Sequence, residues 1–82
     1  MIAPTLAPLL PLDAMQSGES GYVADLDGPP AVVNRLQELG LRVGERIRML
    51  RCGPPHLLQL GETRLCFRSE PGVSVIVGIY EA

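Results

Sequence analysis

The chain has no lysine and no tryptophan, and among its 82 residues there are only one histidine, two cysteines and three aromatic rings. Without lysine it can neither form a Schiff base nor build a phosphate-binding P-loop. With Tyr22, Phe67 and Tyr80 as its only aromatics, its core must be aliphatic, and an aromatic-lined groove for polyproline ligands is not expected. All seven cationic residues are arginine, and against nine carboxylates they leave a net charge of −2. That balance argues against a nucleic-acid binder, which needs surplus cation to displace phosphate counterions. No apolar run approaches the roughly 20 residues that span a bilayer. The opening "MIAPTLAPLLPL" is nearly all apolar, yet Pro4, Pro8 and Pro11 interrupt it and no basic residue precedes it. It reads as an extended arm, not as a targeting or inserted segment. A cytoplasmic protein is expected, with Cys52 and Cys66 as reduced thiols.

What is present describes one small folded domain. An apolar fraction of 46% and a mean hydropathy of +0.21 exclude a disordered chain. A chain of this length hides about 60–65% of its unfolded surface and has room for a single core. We divide it into a proline-rich arm, 1–11, and a domain, 12–82.

The domain reads as mainly β. "GYVADLDG" alternates as a short strand closed by Asp27-Gly28. "PPAVVNRLQELG" is the one helix, with Pro29 and Pro30 at its start, Gly40 past its end, and Val32, Leu36 and Leu39 in one apolar stripe. At ten residues it needs burial of that stripe to persist. From Glu45 the period drops to two, with Ile47, Met49 and Arg51 expected on one face and Arg46 and Arg48 on the other with Leu50 and Cys52. "HLLQL" and "TRLCFR" flank the turn Gly61-Glu62, which has glycine first as a type II′ hairpin requires. "VSVIVGIY" closes the chain. About five strands, with one helix between the first and second, predict a small antiparallel sheet curled into a barrel.

Three sets of residues carry candidate chemistry. Cys52, His56 and Cys66 are the only soft ligands; "CGPPH" has C-x3-H spacing, but three donors fall short of the four of a structural zinc site, and a carboxylate such as Glu62 or Glu70 would complete only an adventitious or intermolecular one. Otherwise the thiols are inert and the histidine sits in a loop. The arginines at 46, 48, 64 and 68 form either a solvated exterior or a docking patch for an acidic partner. The corner of Leu36, Leu39, Gly40 and Leu41 is either core or an apolar interaction surface. No nucleophile, base and orienting group converge, so no enzyme is expected. A curled sheet this small leaves an edge through which a homodimer could form.

The run "RLQELGLRVGERIRML" resembles the signature of the FeoA family of ferrous iron transport proteins. Arg35, Leu36, Glu38, Leu39, Gly40, Leu41, Gly44, Ile47 and Leu50 stand at the family's positions. Leu12, Gly18, Gly21 and Val23 supply its opening, and "GPP" and "LQLGETRLCFR" follow in order. The likeness spans about residues 12 to 80; the turn Glu70-Pro71-Gly72 and the long arm depart from it. The resemblance implies an SH3-like barrel that promotes iron uptake by contacting the cytoplasmic GTPase domain of the membrane transporter FeoB, with no required cofactor. A second implied reading is a domain that binds or senses a divalent metal, iron or zinc, like the SH3-like domain of some iron-dependent repressors.

Overall fold

The computed structural model describes residues 8–80. Six strands form one sheet: β1 (Leu9–Pro11), β2 (Ser20–Asp27), β3 (Arg46–Arg51), β4 (His56–Leu60), β5 (Thr63–Phe67) and β6 (Ser74–Ile79). Their order is β1-β6-β2-β3-β4-β5, antiparallel throughout. A 3-10 turn, Leu12–Ala14, follows β1, and a single helix, α1 (Pro30–Glu38), joins β2 to β3. The five expected strands are β2 to β6. The sixth comes from the end of the arm, where Leu9 to Pro11 pair with Gly78 to Ile76.

Alternation delivers one side chain in two to a shared interior. Ile47 and Met49 of β3, Leu58 and Leu60 of β4, and Val75, Val77 and Ile79 of β6 meet there with Leu12, Met15, Val23, Leu41 and Phe67. Phe67 is the only aromatic among them, as the composition requires.

Two bulges break the simple period. One lies between Val23 and Asp25 of β2 and lets Leu26 return to the core side opposite Val75. The other, between Met49 and Arg51, sets Leu50 out of register and turns Arg51 outward. Arg51 therefore does not share the face of Ile47 and Met49, which corrects the period-two expectation: an extra residue in one strand reverses every later side chain. The hairpin is as expected. Leu60 pairs with Thr63, Gly61 has φ +60°, and Glu62 has no positive φ.

Gly78 marks a close approach. It pairs with Tyr22, and a Cβ added there would sit 2.5–2.7 Å from the Tyr22 ring. Tyr22 thus lies across the glycine on the outside of the sheet.

The helix ends in a Schellman motif. The Leu41 N–H donates to the Leu36 carbonyl at 2.9 Å and the Gly40 N–H to that of Gln37 at 3.0 Å, with Gly40 at φ +105°. Leu41 is 0% exposed, whereas Leu39, two residues earlier, is 44% exposed. The sequence placed both in one candidate interaction corner; burial removes Leu41 from it. No residue of α1 is fully buried, and Leu36 alone of its stripe packs against the core. Leu41→Ala should cost about 2–5 kcal/mol through the cavity it leaves. Leu39→Ala should cost about 0.5 kcal/mol or less. Urea denaturation of the two variants checks this partition.

Candidate functional site

The soft-ligand set does not assemble. His56 and Cys66 lie on opposite faces of the β4–β5 hairpin: His56 pairs with Phe67 on the core side, and Cys66 pairs with Leu57 on the outer side. Cys52 stands at the end of β3, where its thiol donates to the Met15 carbonyl at 3.2 Å and its N–H donates to Ser17 Oγ at 3.2 Å. Both cysteines are free thiols. Among the described residues no three His, Cys, Asp or Glu side chains converge as metal ligands. The expectation of a Cys52–His56–Cys66 site is therefore corrected, because strand alternation sends the donors in different directions.

His56 is not a loop residue either. It opens β4, is 7% exposed, and accepts the Gly53 N–H at Nδ1, 3.0 Å away. With Nδ1 an acceptor, the proton of the neutral ring belongs on Nε2, which faces Asp13 Oδ1 at 3.5 Å. A metal-ligating imidazole instead donates from its second nitrogen, so this tautomer is the wrong one for ligation. Asp13 Oδ1 also accepts a short hydrogen bond from Ser69 Oγ. Together these groups tie the 3-10 turn, the β3–β4 loop and the β5–β6 loop around an open hollow of about 460 Å³, which Arg68 and Pro54 also line. Asp13 and Ser69 carry no local sequence signal, since 56 positions separate them.

The surfaces suited to contact lie elsewhere. On the outside of the sheet Arg48, Gln59 and Arg64 stand in one cross-strand row, and Arg46 lies beside Tyr22 in the next. These arginines are exposed, and the Arg46 guanidinium lies 5.3 Å from the Tyr80 ring centre. Tyr80 in turn packs against Tyr22 at 5.8 Å. Among the described residues the only ion-pair contact is His56–Asp13, so none of the outward arginines is neutralised by a neighbour.

The second surface is a groove of about 440 Å³ between α1 and β5. Val32, Leu36 and Leu39 form one wall, and the four consecutive residues Leu65 to Arg68 form the other. Gly40 does not line it; a Cβ there would be within van der Waals reach of Leu60. Of the predicted contact residues, Leu36 and Leu39 border the groove, Gly40 ends the helix beside it in sequence, Arg46 and Arg48 stand on the outer sheet face, and Leu41 is inside.

A small antiparallel sheet curled on one core, with a short helix after its second strand and no helix long and apolar enough to cross a membrane among the described residues, defines an SH3-like module. The family model of the FeoA domain matches residues 10–77, and the chain belongs to the FeoA family. The match begins within β1. No curated protein sequence matches the chain. Solved structures of FeoA proteins are similar to it, among them the following two. An iron uptake regulatory protein (FeoA) is 25% identical, covering 89% of this chain and all of the other, with a TM-score of 0.80. The FeoA of Stenotrophomonas maltophilia, a prokaryotic SH3 domain protein in complex with zinc, is 32% identical, covering 83% of this chain and 88% of the other, with a TM-score of 0.70. It has been suggested to be a ferrous iron transport activating factor.

The hydrogen bonds of His56 make it a structural latch. His56→Ala should destabilise the domain by about 1–3 kcal/mol, and His56→Asn, whose Oδ1 can accept from Gly53, should recover a large part of that loss. Chemical denaturation at neutral pH separates the two variants.

Proposed function

We propose that this chain is a non-enzymatic, cytoplasmic accessory protein of ferrous iron uptake that binds a FeoB-type membrane transporter and modulates it through protein–protein contact. Family membership supports the pathway. The observation that carries the contact is the half-used apolar stripe of α1: Leu39 remains 44% exposed beside an open groove that Val32, Leu36, Leu65 and Phe67 also line, a contiguous apolar surface and not a lone side chain. The outward arginines supply the second element. A cationic face with no ion-pair partner among the described residues steers an acidic surface toward it and fixes its orientation more than it adds affinity. The cytoplasmic GTPase domain of the transporter is the proposed contact. No metal is needed for this role; the zinc complex belongs to the S. maltophilia relative.

The test is capture of the transporter by the tagged chain, both expressed anaerobically with iron supplied. The wild-type chain should retain the transporter. Leu39→Asp and Arg48→Glu, both at exposed positions, should fold and lose at least about tenfold in capture. Absence of capture by folded wild-type chain would remove the direct contact. The chain stripped of metal should capture as well as the untreated chain, and a requirement for added iron or zinc would move the function to metal sensing.

A further inference from the structure

We infer that the free edge of β5 is where the partner docks, by adding an extended segment as a seventh strand whose side chains alternate between apolar and acidic. This rests on the docking reading above and gives it a geometry.

Among the described residues the sheet order leaves β5 without a neighbour on one side. A two-residue hairpin closes on a hydrogen-bonded pair, here Leu60–Thr63, so Leu58–Leu65 and His56–Phe67 are also bonded pairs. The backbone amides of Arg64 and Cys66 consequently point away from β4, to the open side. The groove confirms that this side is accessible. It is lined by Leu65, Cys66 and Phe67, consecutive residues of β5 that alternate between its two faces, and a surface that touches both faces of a strand runs along its edge over that stretch. The stripe of α1 stands opposite. An unpaired strand facing a helix across a groove is the setting in which an extended peptide can add its own backbone to a sheet, the mode used by PDZ and PTB domains.

The chemistry of the occupant follows from the two sides of that edge. On the inner side the groove offers Leu36, Leu39, Leu65 and Phe67. On the outer side Arg64 begins the row that continues through Gln59 to Arg48. A strand laid on β5 sends alternate side chains to these two surfaces, so the complementary segment alternates leucine-like residues with carboxylates. The other edge of the sheet is closed to this use. β1 is three residues long and ends in proline, two devices by which sheets blunt an edge.

The probe is an acetylated heptapeptide of alternating leucine and glutamate, added to the full chain, with backbone hydrogen exchange as the readout. The Arg64 and Cys66 amides should exchange at least about tenfold more slowly with the peptide bound. N-methylation of alternate peptide nitrogens should abolish the effect. Cys66→Pro removes one free edge donor without touching the β4–β5 ladder, since proline is tolerated where the N–H faces solvent. It should weaken both the peptide and transporter capture at least tenfold. Three results overturn the inference: protection at the groove without protection of these two amides, transporter capture undiminished in folded Cys66→Pro, or self-association of the wild-type chain that Cys66→Pro abolishes, which would make a second copy the occupant. If the wild-type chain captures no transporter at all, the docking reading itself has failed, and the peptide result then stands or falls alone.

Discussion

The corner at Gly40 is the constraint on which the rest of the structure depends. Nine helical residues are too few to persist by themselves in water, and α1 buries none of them fully. The helix is held instead at its two ends. Pro29 and Pro30 start it directly after β2, with the Pro29 carbonyl accepting from both Val32 and Val33 at 3.0 Å. At the other end the Schellman bonds reverse the chain and drive Leu41 into the core. From there the chain regains the sheet as Gly44 donates to the Val23 carbonyl at 2.7 Å and Val23 donates to that of Glu45 at 2.9 Å. Anchoring by the ends has a consequence for the middle. The apolar stripe need not be spent on the core, and the groove beside it stays open.

Charge is organised by the same strand geometry, and the net value of −2 conceals it. Alternation puts Arg46 and Arg48 of β3 and Arg64 of β5 outward, on the two strands that flank β4. Asp25 and Asp27 lie at the far end of β2, on the stretch that pairs with β6 and not with β3. Glu45 lines the same shallow hollow as Arg46 and Arg48, yet among the described residues no carboxylate comes within ion-pair distance of these arginines, which stay solvated. Had they been paired on the surface, each pair would have added little to stability, so folding alone gives no reason to neutralise them.

Much of this was legible in the sequence, because the fold is written in period and punctuation. The helix stop at Gly40, the switch of period after Gly44 and the hairpin at Gly61 all follow from local chemistry. The bulges at Ala24 and Leu50 were not legible, since each is a choice of pairing between two strands and leaves no mark in either. β1 was hidden for a different reason: three residues with a proline show no alternation to read. The metal set failed on a point that spacing cannot settle. Cys66 and His56 are close along the hairpin, yet one faces solvent and the other the core. A ligand set must share a face, and an inventory of donors does not know faces. The role of His56 emerged only with Asp13 and Gly53 in place, because its tautomer is set by a backbone amide.

The two edges of the sheet make the final contrast. An open sheet exposes an unpaired strand at each end, and each is a hazard for aggregation unless something limits it. Here the limits are unequal. β1 is short and proline-terminated, whereas β5 runs for five residues with Arg64 as its one charged side chain. Against a random partner a single arginine and the flanking helix are a modest guard. Against an acidic extended segment the same arginine attracts, and the helix becomes the wall that selects for apolar side chains on the other face. A guard that discriminates by charge and shape is a binding site for whatever satisfies both. In a domain with one core and no spare length, the edge strand is the cheapest place to put one.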